Sequence, residues 1–517
     1  MYKLGIDVGG TNTDAVLIDK NLNIIASTKQ HTTANIYDGI LNTVRTLLSQ
    51  SGVNRSEIVQ AMLGTTQCTN AIVERKNLAP IGVMRIGAPA SRGIPLMVDW
   101  AEDLKKIAVR TAIIGGGFEY DGKELAPFDV AGATAFFEEL KALNVRSVAI
   151  SCVFSTVRND HELEAAKLCR KIMGESVHVS ISSEIGSMGL IERENATILN
   201  AALYKVAQSF TEGFAKSLAD EGITNAQVYL SQNDGTLMTM EYARRYPILT
   251  IACGPTNSIR GACYLSQLKN AVVIDVGGTT TDLGVIQNGF PRESGVAVTI
   301  GGVRTNFRMP DVVSIGLGGG SIVRQKKDGT ITVGPDSVGY EITKKALCFG
   351  GDICTATDIA VRLGMADLGN KTLVACISKD FAIKAMDVIR TMCEDSIDAM
   401  KVSADDVDVI LVGGGSIVLP EQLAGARSVT KHKYGGVANA IGSAISKVSG
   451  TYEQLIDYNE LPRDEALAKG RAGAIELAVA AGAVRETVEI LDVEDIPLQY
   501  YPGNTVRVKI KAAGDLA

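Results

Sequence analysis

Two stretches of this sequence carry the residue types that hold anions. Asp7-Val-Gly-Gly-Thr-Asn-Thr-Asp14 and Asp275-Val-Gly-Gly-Thr-Thr-Thr-Asp282 each place a carboxylate before two glycines, then hydroxyl-bearing residues, then a second carboxylate. Gly9 with Gly10, and Gly277 with Gly278, are free to take positive φ and to bring bare backbone N–H groups against a ligand. Thr11 and Thr13, matched by Thr279 and Thr281, add hydroxyl donors, and Asn12 and Thr280 complete loops shaped for phosphate oxygens. Asp7 and Asp275 stand at the strand ends, where two carboxylates meeting phosphate suit a partly hydrated Mg²⁺. Asp14 and Asp282 read either as hydrogen-bond partners that fix the loops or as carboxylates capping strands.

The elements that must position these residues follow from a repeat. Residues 4–18 align without gaps on residues 272–286, identical at nine of fifteen positions, which points to a duplicated lobe. Each copy reads as two short apolar strands joined by a glycine turn. A third strand, 409–412, runs into Gly413, Gly414, Gly415 and Ser416, either a ligand-approach turn or simply a tight one. The cluster 316–322 reads as a turn between strands or as a loop lining a cleft floor. Residues 434–445 are rich in small side chains and helical in their later part, as close packing against a neighbour requires.

Between the copies, helical periodicity at 36–49, 128–142 and 160–173 alternates with apolar strands at 145–154 and 177–181. The alternation implies a mostly parallel sheet. Residues 192–221 form one long helix or two in series, 228–231 a strand, and Ala271 opens the second lobe. Residues 463–482 read as helix and 487–511 as strands around Pro497 and Pro502-Gly503. The expected partition is a first lobe at 1–190 carrying an inserted α/β unit at about 86–190, connecting helices and a second lobe at 191–450, and a small helical and β extension at 451–517.

Composition narrows the function. With 51 Lys and Arg against 58 Asp and Glu, the net charge of −7 provides no footprint for a nucleic-acid backbone or an anionic membrane. Nine cysteines are scattered with no Cys-x-x-Cys pair, which fits reduced thiols in a cytoplasmic protein. No run approaches about 18 apolar residues.

The twin Asp-x-Gly-Gly-Thr hairpins followed by a Gly-Gly-Gly turn resemble the two phosphate elements and the adenosine element of the actin, sugar kinase and Hsp70 ATPase superfamily. Within it the chain is similar to the hydantoinase/oxoprolinase family, through residues 7–14, Gly64-Thr-Thr-Gln-Cys-Thr-Asn-Ala71, Glu74-Arg-Lys76, 180–183, 195–201, 232–235, Gly254-Pro255, 275–282, 315–322 and Gly334-Pro335. The resemblance spans roughly residues 1–450. It implies an α/β fold of two actin-like, ribonuclease H-like lobes, with the inserted unit in the first lobe and a small C-terminal appendage.

It further implies ATP and Mg²⁺ as cofactors, a cyclic amide or imide as substrate, a possible second, hydantoinase B-like subunit, and an oligomer. Under that reading Asp7 and Asp275 hold metal and position water, and Gly9–Thr13, Gly277–Thr281 and Gly413–Ser416 bind nucleotide. Asn70, with Thr65 and Thr66, faces the substrate, and Asp311 is a further polar candidate. Helix capping by Thr66 or Thr69 is the plain alternative. Arg75 and Lys76 offset phosphate charge or form a solvated face. Cys68 lies in the same loop with none of the four histidines near it in sequence, which disfavours covalent catalysis. The residues at 340–348 replace a Pro-Gly-Pro-Ala-Cys stretch that the family leads one to expect. A small-molecule kinase and a non-catalytic ATP switch would use the same cleft.

Overall fold

The computed structural model describes residues 1–33, 35–186, 188–294, 298–307, 309–498 and 503–516; Pro502, singled out above, lies outside them. Both repeats fold as antiparallel hairpins in one register. Strand Tyr2–Val8 pairs with Asn12–Asp19 so that Asp7 faces Asp14 and Val8 faces Thr13. Strand Ala271–Val276 pairs with Thr281–Gln287 so that Asp275 faces Asp282 and Val276 faces Thr281. On the other side of each first strand runs a parallel neighbour, Ile58–Thr65 in one lobe and Val407–Val412 in the other. Each neighbour brings a glycine beside the aspartate, Gly64 within the first strand and Gly413 just past the second.

Each hairpin anchors a sheet. The first belongs to a nine-stranded sheet in the order Glu489–Pro497, Thr505–Gly514, Lys447–Asp457, Thr236–Thr239, Gln227–Ser231, Ile58–Thr65, Tyr2–Val8, Asn12–Asp19, Ile24–His31. The C-terminal segment has the helix and strands expected of it, and its strands extend the first lobe's sheet. The second hairpin lies in a six-stranded sheet with Val407–Val412, Ala426–Lys431, Phe290–Pro291 and Val312–Ile315. The inserted unit is a four-stranded sheet, Ala108–Gly115, Ile81–Ala88, Ser147–Cys152, His178–Ile181, parallel throughout. Its alternation of strand and helix is what the sequence period predicts. Residues 192–221 resolve into two helices, Leu190–Ala202 and Tyr204–Asp220, broken at Leu203.

Two devices join the lobes. Helices Cys253–Ser266 and Ala438–Ile445 cross in close contact: a Cβ on Gly261 would lie 1.9 Å from the Ala438 carbonyl oxygen, and one on Gly442 1.8 Å from that of Asn257. Only glycine permits that approach, which explains the small residues along 434–445. The second device is an excursion from the second lobe. Its hairpin, Val298–Ile300 with Val303–Thr305, buries Ile300, Val303 and nearby Phe307 in the first lobe's apolar core.

Candidate active site

The two glycine turns meet. A Cβ on Gly278 would stand 3.6 Å from Thr11 Cγ2, so the tip of one loop faces the tip of the other. Each turn is closed by the same bond, Gly9 N–H to the Asn12 carbonyl at 3.0 Å and Gly277 N–H to the Thr280 carbonyl at 2.8 Å. None of Gly9, Gly10, Gly277 and Gly278 sits in the left-handed region, contrary to the expected use of positive φ. Their value is steric: a Cβ on Gly9 or Gly277 would press to 3.1 or 3.0 Å against the carbonyl oxygen that closes the turn. The left-handed glycine is Gly413, at φ +85°.

The cluster 316–322 braces the second turn from outside. Gly319 N–H donates to the Gly277 carbonyl at 3.0 Å and Gly320 N–H to that of Gly278 at 2.8 Å. Thr13 and Thr281 are buried with committed hydroxyls, Thr13 sharing a bond with Thr32 at 3.2 Å and Thr281 donating to the Leu317 carbonyl at 2.7 Å. Thr11, Asn12, Thr279 and Thr280 remain at the tips.

Behind the tips lie the carboxylates. Asp7 accepts from Asn257 Nδ2 at 3.3 Å and from Asn439 Nδ2 at 3.0 Å. These two asparagines sit on the two crossing helices, one on each. Asp275 accepts from the hydroxyl of Ser258, the residue after Asn257, so consecutive positions of one helix hold the aspartates of both lobes. Glycine makes room for both: a Cβ on Gly64 would lie 2.2 Å from Asp7 Oδ1, and one on Gly413 2.3 Å from Asp275 Oδ1.

Burial pushes the Asp7 carboxyl up to about 6, with the charge of Asp14 adding and the two amides opposing. Burial also pushes Asp282 up to about 6, against a hydrogen bond from Ser314, and it raises Asp275 and Asp14. Asp14 accepts from Asn439 Nδ2 at 2.8 Å and from Lys29 Nζ at 2.7 Å. Asp14 is therefore bonded into the cluster around Asp7, whereas Asp282 bonds Ser314 on the neighbouring strand.

Of the two buried acceptors in this cluster without a hydrogen bond, Asp14 Oδ1 has the Lys29 ammonium 2.5 Å away, and the other is Asn257 Oδ1. A water of a hydrated cation is one donor that would suit it. Among the described residues no group of three or more His, Cys, Asp or Glu side chains is arranged to hold a metal. Mg²⁺ bound by Asp7 and Asp275 would accordingly take its remaining ligands from water and phosphate.

The third glycine element sits alongside. Gly413 N–H donates to the Gly435 carbonyl at 3.0 Å and Gly415 N–H to the Val276 carbonyl at 2.8 Å, with Gly414 and Ser416 at the open side. Past Ser416, a cavity of about 840 Å³ is lined by Met365, Arg390, Glu394, Ile417, Leu419 and Lys431, among others.

On the first lobe, Thr65 ends the strand beside Val8 and its backbone bonds the Cys253 thiol. Thr66 precedes the helix Gln67–Glu74 without capping it through its side chain; its hydroxyl faces the Val8 carbonyl at 3.4 Å and accepts from Asn70 Nδ2 at 3.4 Å. Asn70 thus points back toward the first turn. Thr69 accepts from the Ala252 N–H at 3.4 Å.

Three sequence candidates fall elsewhere. Asp311 pairs with Arg292 at 2.6 Å, at the end of strand Val312–Ile315 remote from the glycine cluster. Arg75 is spent on the Gly301 carbonyl at 2.7 Å, tying the first lobe to the excursion, and Lys76 pairs with Glu74. The buried Cys68 thiol is pushed up to about 12 by desolvation, which keeps it protonated and non-nucleophilic.

Lys29, Asn257, Ser258 and Asn439 were not foreseen. Gly64 stands opposite Asp7 in its strand pair, whereas Gly413 follows Val412, the residue opposite Asp275. Lys29 stands opposite Asp14 in the strand pair Asn12–Asp19 and Ile24–His31.

Residues 3–173 match the family described as hydantoinase/oxoprolinase N-terminal region, and residues 193–370 the one described as hydantoinase/oxoprolinase. An uncharacterised protein of Methanocaldococcus jannaschii is 25% identical over 426 residues, 77% of this chain and 62% of that protein. The caprolactamase subunit alpha of Pseudomonas jessenii is 26% identical over 393 residues, 70% of this chain and 54% of that protein. The chain therefore matches little more than half the length of these relatives. The crystal structure of the ATP-dependent caprolactamase from the same organism superposes with a TM-score of 0.80 at 20% identity, covering 100% of this chain and 88% of that one, a likeness of fold. No helix among the described residues is long and apolar enough to cross a membrane.

Proposed function

The chain belongs to the hydantoinase/oxoprolinase family, and from that premise we propose that it opens a cyclic amide or imide at the expense of ATP. The observation that carries the reading is the meeting of the two glycine turns in front of Asp7 and Asp275. One phosphate chain bridging the tips would be held by both lobes. Gly9–Thr13 and Gly277–Thr281 would bind that chain, and Asp7 with Asp275 a hydrated Mg²⁺, which offsets phosphate charge. The cavity beyond Gly413–Ser416 lies within the size range of ligand pockets and would take the base.

The chemistry asks for positioning more than for reactive side chains. An unstrained amide resists water because nitrogen donates into the carbonyl. Transfer of the terminal phosphoryl group to the amide oxygen gives an imidate phosphate and ADP, and removes that resonance. Water then adds at the imidate carbon, and the ring C–N bond breaks with its electron pair and a proton going to nitrogen. A second water hydrolyses the resulting acyl phosphate. Asn70, beside Thr65 and Thr66, would hydrogen-bond the amide on the first-lobe side.

The name of one relative, a caprolactamase subunit alpha, supports a role as one subunit of a larger enzyme. The test is ATP turnover with hydantoin, 5-oxoproline and caprolactam, using the chain alone and mixed with a candidate second subunit. One ADP per ring opened is expected for one of these substrates. Ring opening without ADP, or ATP turnover indifferent to every cyclic amide, contradicts the reading.

A further inference from the structure

We propose that Lys29 is the phosphate-binding cation of this cleft: it leaves Asp14 to contact the phosphate chain when nucleotide binds. The inference rests on the ATP reading above and deepens it. Four carboxylates, Asp7, Asp14, Asp275 and Asp282, gather around the two turns. A polyphosphate entering there meets strong repulsion unless a cation is close, because partial burial weakens solvent screening.

Lys29 occupies the right place. Its ammonium is 2.7 Å from Asp14 Oδ2, while a Cβ on Gly414, in the second lobe's glycine turn, would lie 3.9 Å from its Cε. One side chain thus touches Asp14 in one lobe and lies beside the turn of the other. Its charge also opposes the effect of burial on Asp275.

Lys29 also reaches solvent. Its side chain is 34% exposed against 2% for Asp14, and an ammonium carries three donors on a flexible stem. When the lysine turns away Asp14 Oδ2 keeps the Asn439 amide at 2.8 Å, while Oδ1 gives up the ammonium that stands 2.5 Å from it. The competing role is purely structural, neutralisation of Asp14 in the folded chain. The two roles part company in a double variant.

Binding of ATP and of adenosine, both in the presence of Mg²⁺, is measured by equilibrium titration for the wild-type chain, Lys29→Met, Asp14→Asn and the pair together, with melting followed alongside. The expected result is at least a tenfold weaker ATP affinity for Lys29→Met with adenosine unchanged, and no recovery in the double variant. Recovery of the double variant to within twofold of Asp14→Asn assigns Lys29 to Asp14 alone and overturns the proposal; so does ATP binding by Lys29→Met within twofold of wild type. Should Lys29→Met fail to fold, the double variant, which removes both charges, carries the comparison with Asp14→Asn. A wild-type chain that binds no ATP overturns the nucleotide reading itself, and this inference with it.

Discussion

Asp7 in the first hairpin is held by two side-chain amides, whereas its counterpart Asp275 in the second is held by one hydroxyl, that of Ser258. The same contrast recurs one step back: Asp14 has Lys29 and Asn439, while Asp282 has the hydroxyl of Ser314. An amide nitrogen can only donate, so it fixes a carboxylate as acceptor; a hydroxyl rotates and can donate or accept. Identical backbone register has thus been given two fixed amide donors at Asp7 and one rotatable hydroxyl at Asp275. Asn257 and Ser258 ride on one of the crossing helices and Asn439 on the other, so Asp7 is tied to the joint through both helices and Asp275 through one.

The largest expected effect is common to both lobes. Asp7→Asn and Asp275→Asn should each lower turnover by about 10³-fold or more, since the two carboxylates act as one unit on one ligand, and the combined variant should be scarcely worse than either. Steady-state ADP release measures it, and an additive loss would mean that the hairpins work separately.

A smaller effect concerns stability and its dependence on pH. Asp7 carries a folded-state pKa of about 6 against an ordinary 3.8. Between those values the folded chain binds a proton that the unfolded chain has released, so this group's contribution to stability falls as pH rises through about 4 to 6. At pH 7.5 the buried charge costs a shift worth about 3 kcal/mol, less about 1 kcal/mol for the amide bond an asparagine forfeits. Asp7→Asn should therefore melt higher than wild type at pH 7.5 and lose that advantage near pH 4, in calorimetry without nucleotide. Activity of the wild type should fall as pH drops through about 6, where Asp7 takes up its proton.

The smallest effect tests the partners directly. Asn257→Ala should slow turnover about tenfold, because Asp7 loses one of two fixed donors, whereas Ser258→Ala should change it less than about threefold. Equal effects from these neighbouring positions would erase the distinction between the lobes.

Much of this architecture is legible in the residues. The repeated Asp-x-Gly-Gly-Thr runs fix two hairpins and their register, and the period of 160–173 gives its helix to the residue. The partners of the aspartates are not legible, because Asn257 and Asn439 lie 250 and 432 residues away in sequence and carry no local pattern. Lys29 is closer, but its pairing depends on strand register rather than on any motif. Asp311 shows the converse error. It neighbours the 316–322 cluster in sequence, yet a four-residue strand carries it away from the glycines and into a pair with Arg292. The attachment of strand Lys447–Asp457 to Thr236–Thr239 is a non-local pairing that no window of sequence announces.

The most direct measurement is a structure of the chain with Mg²⁺ and a non-hydrolysable ATP analogue. The account predicts a single nucleotide whose phosphates touch backbone N–H groups of both tips, at 9–12 and 277–280, with the metal between Asp7 and Asp275. A nucleotide bound to one lobe alone, or anywhere away from the paired turns, would contradict it.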